Sequence, residues 1–382
     1  MAQTATRAQV AGRTAGRTAR AVIDCDIHNA PASDEELRKY LPARWRDYHA
    51  RFGVPGYPAS TYPRQNPNAA RIDAWPPGGK PPGSDLPFLR EQLLDAWGIE
   101  YGILNCLVPA GSRNLEYAAV VASAINDWQV AEWLDPEPRL RASLVLPYED
   151  GDLAAAEIDR CAADRRFAQA LLLARGAEPL GRRRYWKVYE AATRHDLPIG
   201  IHFGGTAGQP ITGAGWPSFY IEDHAGMAQS FQAQVASLVC EGVFERYPTL
   251  KVVLIEGGFA WLPPLMWRLD RAWGQLRDET PHLRRPPSEY IREHFWITTQ
   301  PMEEPTRPEQ FRQLLEQLAM PDRLLFATDY PHWDFDAPDQ ALPVRLPPDQ
   351  ERAIMADNAR ALYRLPVGRS GGPSQAQDAV GQ

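Results

Sequence analysis

Residues 21–28 read "AVIDCDIH". The run is β-prone, and side chains on a strand return to the same face at every second residue. Asp24, Asp26 and His28 are therefore expected on one side, with Ile23, Cys25 and Ile27 on the other. Two carboxylates and an imidazole crowded together oppose folding, because a buried unpaired charge is expensive. Something positive should sit among them.

Seven more β-prone runs follow: "YGILNCLV" (101–108), "RASLVLP" (141–147), "AQALLLA" (168–174), "LPIGIHF" (197–203), "LKVVLIE" (250–256), "FWITTQ" (295–300) and "RLLFATD" (323–329). Stretches with helical spacing lie between most of them. One is "DLPFLREQLLDAWG" (85–98), which opens at a Ser84/Asp85 cap candidate and stops at Gly98. Eight strand candidates, each followed by a helix candidate, indicate an α/β fold of the (β/α)8 TIM barrel type. A doubly wound open sheet fits less well, since no GxGxxG turn follows any strand.

No boundary splits the repeat, so one catalytic domain is expected over residues 21–365. A long Pro-rich insertion, residues 29–85, follows strand one and contains Pro55, Pro58, Pro63, Pro67, Pro76, Pro77, Pro81 and Pro82. A connection of that length suits a functional cover or a subunit contact. A second, Gly-rich insertion covers residues 204–226 after strand five, and residues 279–293 precede strand seven. Residues 1–20 carry Arg7, Arg13, Arg17 and Arg20 without an acid and read as a disordered basic tail. Residues 366–382 are poor in apolar side chains and read as a second disordered tail.

The 382 residues are 44% apolar and 23% charged, with a net charge of −7, which is ordinary for a soluble globular protein. No basic stripe lies outside the first twenty residues, which argues against a nucleic-acid partner. No apolar run reaches the roughly 20 residues that cross a membrane. Cys25, Cys106, Cys161 and Cys240 are scattered without a CxxC pair. They suit a reducing cytoplasm and offer no thiolate metal site.

Catalytic groups of such barrels project from the C-terminal ends of the strands. Strand one ends in Asp26 and His28, strand five carries His202, strand six ends in Glu256, and strand eight ends in Asp329, with His332 three residues on. Each has a bland reading as a capping or hydrogen-bonded core residue. Their coincidence at one rim favours a shared divalent cation, which would also compensate the acids of strand one. Arg175 after strand four could pair with a substrate carboxylate. His224 could reach the mouth, and Trp216, Trp296 and Trp333 could wall an apolar pocket.

"IDCDIHN", "LPIGIHFGG", "YPTLKVVLIEGGFAWLP", "LLFATDYPHWD" and "IMADNARALYRL" together resemble the amidohydrolase-related family, in the branch that includes aminocarboxymuconate-semialdehyde decarboxylase. The likeness runs from residue 21 to 365. It implies a mononuclear metal site of Asp26, His28, His202 and Asp329. The chain departs from the family pattern twice, with Asp26 at the first histidine position and Glu256 at the strand-six histidine position. Glu256 is left open as a fifth ligand, an acceptor behind the ligands or a proton-transfer group. A carboxylate in place of an imidazole hardens the site toward Mn2+ or Mg2+, while two remaining imidazoles keep Zn2+ available.

Two enzymatic readings share these ligands. In the first, a metal-dependent hydrolase, metal-activated water attacks a carbonyl of an amide, ester or lactone, and Asp329 or Glu256 takes the proton. In the second, a non-oxidative decarboxylase of a hydroxylated aromatic or unsaturated acid, a nearby acid protonates the carbon that loses CO2. The hydrolase is the expected activity here, because a carboxylate base beside metal-bound water is the simpler assignment. A metal-free barrel with a binding role is a third reading. The partner is a small-molecule substrate, and the resemblance suggests a homodimer formed through the early loop.

Overall fold

The computed structural model describes residues 21–53, 69–108, 114–205 and 212–367. Eight parallel strands form one sheet in the order β1 to β8. They are β1 Val22–Ile27, β2 Ile99–Leu104, β3 Leu140–Val145, β4 Phe167–Arg175, β5 Ile199–Gly205, β6 Val252–Ile255, β7 Phe295–Thr298 and β8 Leu324–Leu325. Backbone bonds from Cys25 N to Phe326 O (2.9 Å), from Asp329 N to Asp26 O (3.1 Å) and from His28 N to Tyr330 O (2.7 Å) join the last strand's extension to the first. The sheet is thereby a nearly closed, TIM-barrel-like cylinder. All eight expected strands are present, although β8 is shorter than its apolar run.

Parallel strands are buried on both faces, which is why they read as unbroken apolar runs. On β6, Val252 and Leu254 pack into the large cluster between sheet and helices, whereas Val253 and Ile255 pack with Ile23, Cys25, Ile103, Leu171 and Leu325 in a second cluster. Helices α1 Ala43–Phe52, α2 Leu115–Gln129, α3 Gly151–Cys161, α4 Trp186–Arg194, α5 Tyr220–Ala225, α6 Met227–Cys240, α7 Leu262–Gln275, α8 Pro287–His294, α9 Pro308–Leu318 and α10 Asn358–Tyr363 account for most of the rest. Their starts follow local chemistry. Asn114 Oδ1 accepts from Tyr117 N at the head of α2, and Asp150 Oδ1 accepts from Asp152 N and Leu153 N at the head of α3. Of the Ser84/Asp85 pair, Asp85 is the cap, accepting from Phe88 N at 3.1 Å.

The expected terminal tails, apart from Pro366 and Val367, lie outside the described residues, as do residues 54–68 and 206–211 of the two insertions. The described parts of the insertions are not uniformly irregular, since they contain α1 and α5. The return of the first insertion docks on the rim. Arg71 N donates to Pro331 O (3.0 Å), Trp333 N donates to Ala69 O (2.8 Å), and Ala70 bridges His332. Among the described residues, no helix is long and apolar enough to cross a membrane.

Gly83 lies against the end of β1. A Cβ added there would sit 2.3 Å from His28 O, and its φ of +72° belongs to the left-handed region. Gly79 has a similar φ of +79° but open space around it. Gly83→Ala should therefore lower stability by about 1–3 kcal/mol, and clearly more than Gly79→Ala. Equal melting temperatures for the two variants would contradict this packing.

Candidate active site

The polar groups of β1 do not stay together. Pairing of β1 with β2 slips between Asp24 and Ile27, and the two carboxylates diverge. Asp24 accepts from Thr328 N (2.9 Å), Thr328 Oγ1 (2.6 Å) and Asp26 N (3.2 Å), so it secures the chain after β8. Burial pushes its carboxyl up to about 7 despite these donors. Asp26 turns instead toward the two histidines.

His28 donates from Nδ1 to Asn105 O (2.8 Å), and His202 donates from Nδ1 to Phe203 O (2.5 Å). Each imidazole thus has its tautomer set by a carbonyl and presents Nε2 to the centre. His28 Nε2 lies 2.8 Å from Asp329 Oδ1 and 3.5 Å from Asp26 Oδ1. His202 Nε2 lies 3.4 Å from Asp26 Oδ2 and 3.3 Å from Glu256 Oε2. Asp26 Oδ2 and His202 Nε2 are buried without a hydrogen-bond partner. A carboxylate oxygen facing an imidazole lone pair in a dry site is repulsive unless a cation lies between them. The donor set therefore fits a divalent ion.

Ligand atoms of Asp26, His28 and His202 lie within 4.8 Å of one another, and so do those of His28, Asp329 and His332. His28 belongs to both groups and links them, with Asp26 and His202 in one and Asp329 and His332 in the other. Asp329 accepts from Gln300 Nε2 (3.2 Å), and His332 Nδ1 lies 2.7 Å from its Oδ1. Gln300 Nε2 also reaches Asp334 Oδ2 (2.8 Å), which in turn pairs with His224 Nε2 (2.9 Å). His224 therefore enters the site's network through Asp334. Arg175 stands at the end of β4 opposite Gly205, with its guanidinium 5.1 Å from the Phe203 ring.

Trp296 does not join them. It is the second residue of β7, its ring carries the Arg323 guanidinium at 4.1 Å, and it packs with Leu325 and Leu362. It lies toward the N-terminal end of the barrel, away from Gln300 and Asp329. Trp216 is half exposed, while Trp333 donates from Nε1 to Tyr220 Oη (3.0 Å) and lies 5.1 Å from the His224 ring. Asn105 and Gln300 were not anticipated. Both stand at strand ends, on "ILNC" and "TTQP", and a search of strand ends for amides as well as acids and histidines would have found them.

Glu256 and Asp329 both have φ of +60°, a left-handed conformation unusual for a side-chain-bearing residue and common at functional sites. Their charges differ. Burial, and then Asp329 and Asp26, push the Glu256 carboxyl well above its ordinary value. Burial alone would raise Asp329 too, but His332 and His28 hold it well below the usual carboxylate range. His28 is lowered by burial and raised more by Asp26 and Asp329, to about 9.

The family described as Amidohydrolase matches residues 23–365. The gamma-resorcylate decarboxylase of Polaromonas sp. (strain JS666 / ATCC BAA-500) is 28% identical over 294 residues, covering 74% of this chain and 88% of that protein. A dihydroxybenzoic acid decarboxylase structure from Polaromonas sp. JS666, with manganese and the inhibitor 2-nitroresorcinol, superposes with a TM-score of 0.63 at 24% identity, covering 91% of this chain and 97% of that one. The 5-carboxyvanillate decarboxylase structure from Sphingomonas paucimobilis gives a TM-score of 0.65 at 21% identity, covering 91% and 99%. These structural likenesses speak to the fold. The relatives correct the expectation of a hydrolase, since each is a decarboxylase. The same donor cluster suits both chemistries, and burial raises the Glu256 carboxyl, which favours an acid there over the base that hydrolysis was assigned.

The pH dependence of stability tests the Asp24 environment. An acid raised from 3.8 to about 7 binds its proton more tightly in the folded state. Its contribution is complete below about pH 4 and is lost as pH rises to about 7, on the order of a few kcal/mol. Urea unfolding across this range should show a decline in wild type that Asp24→Asn removes. Parallel profiles would refute it.

Proposed function

The chain belongs to the amidohydrolase family, and from that premise we propose that it is a metal-dependent, non-oxidative decarboxylase of a hydroxylated aromatic acid. The observation that carries this reading is a buried cluster of candidate ligands with a further carboxyl, Glu256, beside it, its Oε2 3.3 Å from His202 Nε2. Asp26, His28, His202 and Asp329 would hold the ion, with Mn2+ favoured by two carboxylates and tolerated by two imidazoles. When bound, such an ion neutralises the substrate carboxylate and an adjacent ring hydroxyl and fixes their orientation.

The chain's own residues then have separate tasks. Asp329 stays ionised because His332 and His28 stabilise its charge, and Gln300 fixes its second oxygen. Arg175, on the neighbouring strand end, orients the substrate carboxylate, and His224 and Asp334 line the rim. Glu256 gives its proton to the ring carbon that bears the carboxylate. The bond to that carboxylate breaks, its electron pair restores the aromatic ring, and CO2 leaves. Glu256 regains a proton from water, since the residue keeps 8% of its surface open.

Manganese-loaded protein should release CO2 from a hydroxylated benzoate, and a chelator should abolish the release. Glu256→Gln should lower kcat by about 10²- to 10⁴-fold while keeping the metal content unchanged. Asp329→Asn should instead lower the metal content. Failure of metal-loaded protein to release CO2 from any member of a hydroxybenzoate panel would overturn the function. Wild-type turnover by Glu256→Gln would overturn the role given to that acid.

A further inference from the structure

Asn105, directly after β2, is fully buried and makes four hydrogen bonds to four consecutive residues, Cys25 to His28, at the end of β1. Its N donates to Ile27 O (2.7 Å), and its O accepts from His28 Nδ1 (2.8 Å). Its Nδ2 donates to Asp26 Oδ1 (2.8 Å) and Cys25 O (3.2 Å). One residue therefore sets the tautomer of one ligand and occupies one oxygen of another. The other oxygen of Asp26, Oδ2, is the atom that faces His202.

This arrangement works only if the Asn105 amide points its nitrogen at Asp26. Turned over, its oxygen would oppose a carboxylate. Two donors settle the matter from behind, since Asn105 Oδ1 accepts from Ser143 Oγ (2.5 Å) and Gln169 Nε2 (3.2 Å). Gln169 Nε2 also donates to Ser143 Oγ (3.0 Å), and the Gln169 amide is itself oriented by Tyr363, whose hydroxyl donates to Gln169 Oε1 (2.9 Å). A phenol can donate or accept, but its proton finds this acceptor only when Gln169 Oε1 faces it, and Cys25 O can only accept from Asn105 Nδ2, so both ends of the chain of bonds favour the same orientation of the two amides.

We propose that Asn105 is a positioning residue that reserves Asp26 Oδ2 and His28 Nε2 for the metal ion, and that Tyr363 sets its orientation through Gln169 across the barrel interior. The inference rests on the metal site of the proposed function. It adds that the site's ligand geometry depends on a hydroxyl of the last helix that touches no ligand.

Mn2+ binding to the full-length apoprotein, measured by electron paramagnetic resonance and calorimetry, tests this without turnover. Asn105→Ala leaves the carbonyl for His28 but frees Asp26 Oδ1, and should weaken Mn2+ binding by about 10- to 100-fold. Tyr363→Phe removes one buried oxygen and nothing from the ligands, and should weaken Mn2+ binding in the same direction by a smaller factor. In the Asn105→Ala background, Tyr363→Phe should add no further loss, because its route to the site is already cut. Melting of the apoproteins is measured alongside. Unchanged Mn2+ affinity in Tyr363→Phe, or losses that simply multiply in the double variant, overturn the relay even if apoprotein melting falls. Tight binding by wild type with unchanged variants refutes this inference alone, whereas no Mn2+ binding by wild type refutes the metal site and this inference with it.

Discussion

Negative charge buried at the mouth of an apolar barrel is the constraint around which this molecule is arranged. Asp24, Asp26, Glu256 and Asp329 all lie in or beside one rim, each buried. An unpaired buried carboxylate costs several kcal/mol even after relaxation, and the chain meets that cost differently for each. Asp24 is raised toward neutrality by burial and accepts three donors from the adjoining backbone and Thr328. Asp329 is flanked by two imidazoles, burial raises Glu256, and Asp26 has an amide on one oxygen and faces His202 with the other. The proposed division of labour between ligand and acid rests on these unequal surroundings rather than on residue type.

The barrel supplies the means. Directly after β6, and in the extension of β8 that pairs with β1, the chain turns a carboxylate-bearing residue into the left-handed region, at Glu256 and Asp329. Thr298 Oγ1 accepts from Glu256 N at 3.1 Å, and Asp26 O accepts from Asp329 N, so neighbouring strands hold each turn in place.

Much of this was legible in the sequence because a parallel sheet buried on both faces leaves continuous apolar runs, and because acids and histidines at their ends stand out. The strands, His28, His202 and Asp329 could be read in that way. Asp24 could not, because the period-two reading assumes unbroken pairing and the register slips just after it. Asn105 and Gln300 carry no charge and so raise no alarm in an apolar run. Trp296 was misplaced because a position early in β7 and one late in it look alike in composition but lie at opposite ends of the barrel. The reaction was misjudged because the same ligands serve both chemistries. The upward shift of Glu256 comes first from burial and then from Asp329 and Asp26, which are remote in sequence from it.

The seam between residues 69–71 and 331–333 has a bearing on how the enzyme can change over time. Backbone bonds are indifferent to side-chain identity, so that flank of the entrance can drift in sequence and keep its shape. It also ties the first insertion to the segment bearing His332, so large remodelling there would disturb the chemistry. The adjoining side, where α5 offers His224 and Tyr220, is joined to this segment by side chains: His224 to Asp334, and Tyr220 to Trp333. A change of substrate shape is therefore cheapest where α5 meets the entrance.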